Sequence, residues 1–156
     1  MDKEKLNSFI KLLQKSHRVS TLPSFDLGLI VKEKTSKIND EEIFNEIKKK
    51  VPIEKIIYDE SIFDEDIISK IIEIFEKNKW IFLEIKKDIR SPLLNQLKHL
   101  ANHNFLQLID YKSKDLVQIK IPENCRIIVF AERNFIENKI SYPHFYRLFG
   151  PTLSIK

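Results

Sequence analysis

The stretch S-I-F-D-E-D-I-I-S-K-I-I-E-I-F-E-K-N-K-W-I-F-L-E-I, residues 61–85, decides the fold class. An acidic turn over 64–66 precedes apolar residues at helical spacing, which are Ile67, Ile68, Ile71, Ile72 and Phe75. This pattern predicts a helix headed by Ser61 and ended by Asn78. The nearly continuous apolar run over 80–85 is typical of a strand buried on both faces of a sheet. A helix that leads into a buried strand indicates an α/β protein.

The same alternation of helix and strand extends in both directions. We expect short strands at 27–31, 55–58 and 126–131, a helix from Asp40 as N-cap to before Pro52, and a helix capped by Ser91 with Pro92 at its first position. Runs at 105–111 and 116–121 alternate in hydropathy and predict a β-hairpin. Residues 142–149 form a short aromatic helix or turn. The predicted fold is α/β, a layered sheet of mostly parallel strands with flanking helices and an inserted hairpin.

Two units follow from the pattern. Residues 1–20 form an amphipathic helical arm, because Leu6, Phe9, Ile10 and Leu13 share one helix face and the pattern breaks after it. Residues 21–156 form a single α/β domain. The apolar face of the arm either packs on its own domain or docks in the groove of a partner.

Composition excludes several classes of protein. The 156 residues contain one cysteine, so no internal disulfide can form. The only glycines are Gly28 and Gly150, whereas a Walker A loop or a dinucleotide fingerprint needs two or three within a few residues. No apolar run is long enough to span a membrane. We expect a cytoplasmic protein without cofactor or small-molecule substrate.

Charge is unevenly distributed along the chain. Residues 40–78 carry 6 basic and 12 acidic side chains, whereas residues 79–156 carry 13 basic and 7 acidic ones. The positive flanks at 1–39 and 79–156 favour, as one alternative, a ribosome- or RNA-associated factor. Lys112, Lys114 and Arg133 are the candidate RNA contacts.

The order of elements from about 55 to 150 resembles the second half of an AAA+ ATPase core, particularly that of large multi-AAA proteins such as dynein, midasin and mysterin. In this resemblance 80–84 is the Walker B strand with Glu84 as its acid, and 126–132 is the sensor 1 strand. Arg147 stands at the position of the arginine finger.

The resemblance implies a degenerate, P-loop-NTPase-like core. Ile85 replaces the second Walker B acid, Ala131-Glu132-Arg133 stands where sensor 1 has a small polar residue, and no glycine-rich loop precedes either strand. Without these groups, phosphoryl transfer loses its electrostatic positioning. The resemblance therefore implies a relative that does not hydrolyse nucleotide.

Other constellations have ordinary structural interpretations. His99 and His103 are spaced i, i+4, but the sequence implies no third metal ligand. Cys125 enters a buried strand, where a small core residue is the usual role. The acids at 64–66 suit the first turn of a helix. We predict no catalytic residue and no metal site.

We predict a non-catalytic binding or adaptor module that docks on a larger protein or ribonucleoprotein assembly. The contacts are assigned to the arm and to the aromatic segment near the carboxyl end, because aromatics and arginine are enriched in binding hot spots. The predicted contact residues are Phe9, Leu13, Tyr142, Phe145, Tyr146, Arg147 and Phe149. Two alternatives stay open: the RNA-associated factor, and a nucleotide-binding switch without hydrolysis.

Overall fold

The computed structural model describes residues 2–15, 27–103, 105–109, 116–140 and 145–156. The described helices are α1 (Lys3–Gln14), α2 (Asp40–Lys48), α3 (Asp64–Glu76), α4 (Ser91–His103) and α5 (Arg133–Ile140), with a 3-10 turn over Tyr146–Leu148. The described strands are β1 (Leu27–Lys32), β2 (Ile53–Tyr58), β3 (Trp80–Ile85), β4 (Phe105–Ile109), β5 (Leu116–Lys120), β6 (Ile127–Glu132) and β7 (Thr152–Ile155).

Five strands form one sheet in the order β2-β3-β6-β1-β7, and all of its pairings are parallel. Strands β4 and β5 pair antiparallel as a separate hairpin between α4 and β6. The predicted α/β class and the inserted hairpin are confirmed. The arrangement is consistent with a layered fold of the Rossmann or P-loop kind.

Helices cover both faces of the sheet. On one face, α1 and α2 pack against the sheet in a core that includes Phe82 and Phe130, whose rings stack with centroids 5.3 Å apart. On the other face, α3, α4, α5 and the 3-10 turn enclose the larger core. Buried on both faces, β3 and β6 read as apolar runs in the sequence, as parallel strands in the middle of a sheet do.

The ends of the helices differ in detail from the predictions. Asn39, rather than Asp40, caps α2 by accepting a hydrogen bond from the backbone N–H of Glu41. Helix α3 starts after Phe63, because Ser61 is engaged with the carboxylate of Asp59. The shift is one residue for α2, whereas α3 starts after Phe63 without a side-chain cap, so that its acidic first turn alone marks its amino end.

Asn78 ends α3 as predicted, in the left-handed conformation with φ of 56° that asparagine tolerates. Helix α4 begins at Ser91, so that Pro92 is its second residue. Helix α5 and strand β7 were not predicted. Strand β7 is only four residues long and alternates weakly, which is why its signal in the sequence is poor.

Helix α1 packs on the α/β domain, which is one of the two alternatives for the predicted arm. Its apolar face is buried in the core that it shares with α2 and the sheet. At its carboxyl end, the buried guanidinium of Arg126 donates a hydrogen bond of 2.9 Å to the carbonyl of Leu13. A cation at this end also matches the polarity of the helix dipole. Residues 16–20 of the predicted arm lie outside the described residues.

Gly28 lets α1 approach the sheet closely. A Cβ atom at this position would lie 2.7 Å from Cζ of Phe9 and 2.9 Å from Cδ1 of Leu13. We therefore expect Gly28→Ala to lower the free energy of unfolding by about 1–3 kcal/mol through overpacking. Urea unfolding measures this, with the exposed Ser8→Ala on α1 as control. Adding Phe9→Leu should recover part of the loss, and no recovery would mean that α1 does not press on Gly28.

Candidate functional site

The carboxyl ends of β1 and β6 lie at the point where the chain reverses its direction of winding. After β1 the chain enters α2 on one face and crosses to β2, whereas after β6 it enters α5 on the other face and crosses to β7. Open α/β sheets bind ligands in the crevice at such a switch point. A cavity of about 270 Å³ lies there, lined by Lys32, Glu33, Lys34, Ser36, Glu132 and Asn134.

Next to this crevice, Glu84 is held by two lysines. The side chain is 4% exposed and projects from the inner strand β3 toward the α2 face. Its Oε1 lies 3.3 Å from Nζ of Lys86, and its Oε2 lies 3.8 Å from Nζ of Lys55. Because a buried carboxylate is costly unless it is paired, these lysines account for an acid in an otherwise apolar strand.

The lysine network continues to the start of α2. The carboxylate of Asp40 accepts hydrogen bonds of 2.8 Å from Lys32 and 2.6 Å from Lys86. Burial opposes the charge of Asp40, but these two hydrogen bonds hold its pKa below the ordinary value. Lys55 is bonded to Glu41 in the same turn. We call these side chains the lysine–carboxylate network, consisting of Lys32, Asp40, Glu41, Lys55, Glu84 and Lys86.

The amino end of α2 is unsuited to phosphate. A helix amino end can hold an anion with its free N–H groups and its dipole. Here the cap and the first turn are Asn39, Asp40, Glu41 and Glu42, and the side chain of Asn39 already accepts one of those N–H groups. The lysines that could bind an anion at the position that follows β1 are already paired with the carboxylates of this turn.

Arg133, a predicted RNA contact, is bound within the domain. Its guanidinium makes two hydrogen bonds of 2.5 Å to the carboxylate of Glu33, which also accepts a 2.7 Å hydrogen bond from Ser154. These contacts join the ends of β1, β6 and β7. Arg133 is therefore engaged in an ion pair within the domain, and its assignment to RNA stays a prediction. The other candidates, Lys112 and Lys114, lie outside the described residues.

The Glu33 ion pair makes stability depend on acid pH. Hydrogen bonds from Arg133, and next from Ser154, lower the pKa of Glu33 from 4.5 to about 2. Since the folded pKa is depressed, the stabilisation is complete above pH 4.5 and is lost as the pH falls toward 2. We expect Glu33→Gln to cost about 1 kcal/mol at pH 7 and progressively less below pH 4.5. Urea unfolding against pH measures this, and an equal cost at both extremes would contradict it. The control is Glu73→Gln, an exposed acid on α3.

The predicted partner contacts on α1 are buried. Phe9 is 3% exposed and Leu13 is 0% exposed, so neither reaches a partner while α1 stays packed. The prediction is corrected for both residues, because their face is the one that contacts the sheet. Leu12, one position before Leu13, is 60% exposed.

The aromatic segment near the carboxyl end contains both buried and exposed members of the predicted contact set. Phe145 and Phe149 are buried and pack edge to face with centroids 5.4 Å apart, so they close the larger core instead of forming a docking surface. Arg147 is exposed in the 3-10 turn, which also contains Tyr146. Tyr142 lies outside the described residues.

Cys125 and Asp64, two possible metal ligands of the sequence, have structural surroundings. Among the described residues, no group of three His, Cys, Asp or Glu side chains is placed to hold a metal ion. Cys125 is buried, and burial raises the pKa of its thiol. Asp64 is 7% exposed and accepts hydrogen bonds from the Tyr58 hydroxyl and the Leu93 N–H, so it serves packing.

The sequence singles out Glu84 but not its partners. Asp40 and Lys86 are 46 positions apart, and no periodicity connects them. One signal was present: an acid in a strand that is otherwise apolar requires a buried cation from a neighbouring element. That requirement predicts that a partner exists without saying which lysine supplies it.

No protein-family model matches the chain, and none of the curated proteins is significantly similar to it. None of the described helices is long and apolar enough to cross a membrane.

Proposed function

We propose that this chain is a non-catalytic binding module with a degenerate AAA+-like core, acting as an adaptor in a larger assembly. The observation that carries the proposal is the lysine–carboxylate network at the carboxyl edge of the sheet. Where a P-loop ATPase holds magnesium and phosphate, this chain places its own paired charges.

The network argues against phosphoryl transfer. A Walker B acid must offer an oxygen to magnesium, and a second acid must orient water. Both oxygens of Glu84 face lysines, and Ile85 follows it with an apolar side chain buried in the opposite core. Lys86 keeps its charge here, because its hydrogen bond to Asp40 and the nearby Glu84 outweigh its burial and raise its pKa.

The sheet order supports descent of this chain from an AAA+ ATPase, with loss of the ATPase activity. Walker B and sensor 1 residues act on the same phosphate, so their strands must be neighbours at one edge of the sheet. Strands β3 and β6 are such neighbours, with Glu84 beside Phe130 and Ile85 beside Ala131. The positions of the motifs fit the resemblance, whereas the side chains at them are apolar or internally paired.

Nucleotide addition tests the non-catalytic part of the proposal. We expect 5 mM MgATP or MgGTP to leave the melting temperature unchanged and to release no phosphate. A ligand with a Kd of about 50 μM would stabilise the fold by about 2.7 kcal/mol at hundredfold excess, so the test is sensitive. A rise of several degrees would favour the nucleotide switch, and turnover of ATP would overturn the proposal.

Sedimentation of the native protein from cell lysate, with and without RNase, tests the partner. We expect a heavy position that RNase does not change, as for a protein assembly. A position that RNase shifts would favour the RNA-associated alternative. Sedimentation as a free chain of 18.6 kDa in both gradients would contradict membership of a stable assembly.

A further inference from the structure

A groove runs between α1 and β7, at the end of the sheet opposite to β2. Two adjoining cavities of about 220 and 430 Å³ form it. Its apolar lining comes from both elements and includes Leu6, Leu12, Leu153 and Ile155. The lining includes Leu12, the most exposed apolar side chain of α1.

One wall of the groove is an open strand edge. Strand β7 is last in the sheet order, and no described strand pairs with its outer side. The N–H of Leu29 bonds to the carbonyl of Pro151, and the N–H of Glu33 bonds to that of Ile155. By the alternation of a parallel ladder, the backbone groups of Thr152 and Ser154 therefore point away from β1. They are the groups that an added strand would use.

The charge along the groove is polarised. Lys5 lines both parts, and Lys156 lines the part that adjoins the carboxyl end of β7. The acid in that part, Asp2, is occupied as the N-cap of α1 by the N–H groups of Glu4 and Lys5. The other acid of the lining, Glu4, lies in the part toward Leu12.

We infer that this groove binds an extended peptide that adds to β7 as a further strand. Alternate apolar side chains of the peptide pack against Leu12 and Leu153, and a carboxylate of the peptide meets Lys5 and Lys156. The inference rests on the proposed function, since it names the surface through which the module holds its partner. Strand addition supplies the affinity, and the lysines select an acidic segment.

The test uses three fluorescein-labelled octapeptides with the full chain, with binding followed by fluorescence anisotropy. All three peptides share a segment of six alternating valines and threonines. The first has two glutamates added at the carboxyl end, the second has two glutamates at the amino end, and the third has two lysines at the carboxyl end. We expect one of the glutamate peptides to bind at least about tenfold tighter than the lysine peptide. The orientation of the better glutamate peptide shows whether the added strand runs parallel or antiparallel to β7.

Proline variants at the two sheet edges locate the site. Thr152→Pro removes an outward N–H of β7 and blocks strand addition, while the bonds from β7 to β1 remain. The matched control is Ile57→Pro at the outer edge of β2. The carbonyl of Tyr58 points toward β3, where it accepts the N–H of Lys86, so the backbone groups of the preceding Ile57 point outward. We expect Thr152→Pro to abolish binding and Ile57→Pro to preserve it. Lys5→Glu with Lys156→Glu should reverse the peptide preference, whereas Lys70→Glu on α3 should not.

Three outcomes would overturn the inference. The first is no binding of any peptide by the folded wild-type chain at 1 mM, and the second is binding that Thr152→Pro leaves intact. The third is a dimer in sedimentation that Thr152→Pro dissociates, since a second copy would then occupy the edge. None of these outcomes requires nucleotide binding or turnover, so failure of the groove is distinguishable from failure of the non-catalytic proposal.

Discussion

Replacing Arg126 with methionine is expected to lower the free energy of unfolding by about 3 kcal/mol and to loosen α1 first. The guanidinium is 5% exposed and donates to the carbonyls of Leu13, Glu123 and Cys125 at 2.9, 2.8 and 2.7 Å. Methionine fills similar volume but leaves these acceptors without the cation. Of the three, only the Leu13 bond spans 113 positions, so its loss releases the carboxyl end of α1 from the start of β6.

Urea unfolding measures the total effect, and hydrogen exchange measures where it falls. Protection of the amides in α1 should decrease more than protection in β3, because α1 packs on the sheet near its β7 edge whereas β3 is an inner strand. Arg126→Lys keeps the charge but lacks the planar fork, so an intermediate loss is expected. Equal loss of protection in both elements would mean that Arg126 supports the whole fold rather than the docking of α1.

Much of the fold was predictable because its strands are buried on both faces. Strand β3 is an apolar run interrupted only by Glu84, and the helix before it has a clear amphipathic pattern that Asn78 ends. Such signals are local, and each is interpretable within one turn or one strand. Strand β7 lacked a signal, since it is only four residues long, lies at the edge of the sheet and alternates only weakly.

The candidate site was less predictable, because its contacts join distant parts of the chain. The periodicity of α1 predicts its apolar face, but it does not show whether that face contacts the domain or a partner. The fold shows that this face is covered by the sheet and that Leu12 lies outside it, exposed. Arg133 looked like a free cation in the sequence, yet Glu33 lies 100 positions away and binds it. Ion pairs of this kind depend on strand order, which local patterns in the sequence do not reveal.

Asp64→Ala is also expected to cost about 3 kcal/mol, because Asp64 substitutes for a local cap of α4. Its Oδ2 accepts the N–H of Leu93 in the first turn of α4 at 3.1 Å, and its Oδ1 accepts the hydroxyl of Tyr58 at 2.9 Å. The Tyr58 hydroxyl in turn accepts the N–H of Arg90 at 3.2 Å. Removing the carboxylate leaves two buried donors unsatisfied. Burial, together with this carboxylate, raises the pKa of Tyr58 to about 12.

Three comparisons isolate this role of Asp64. Asp66→Asn removes an exposed acid from the same turn of α3 and should change stability by less than about 0.5 kcal/mol. Asp64→Asn keeps one acceptor oxygen, so its cost should fall between the two. A double-mutant cycle with Tyr58→Phe should show coupling, since both side chains share one hydrogen bond that links β2 and α3 to the start of α4. Similar costs for Asp64→Ala and Asp66→Asn would instead indicate that general charge at the amino end of α3 sets the stability.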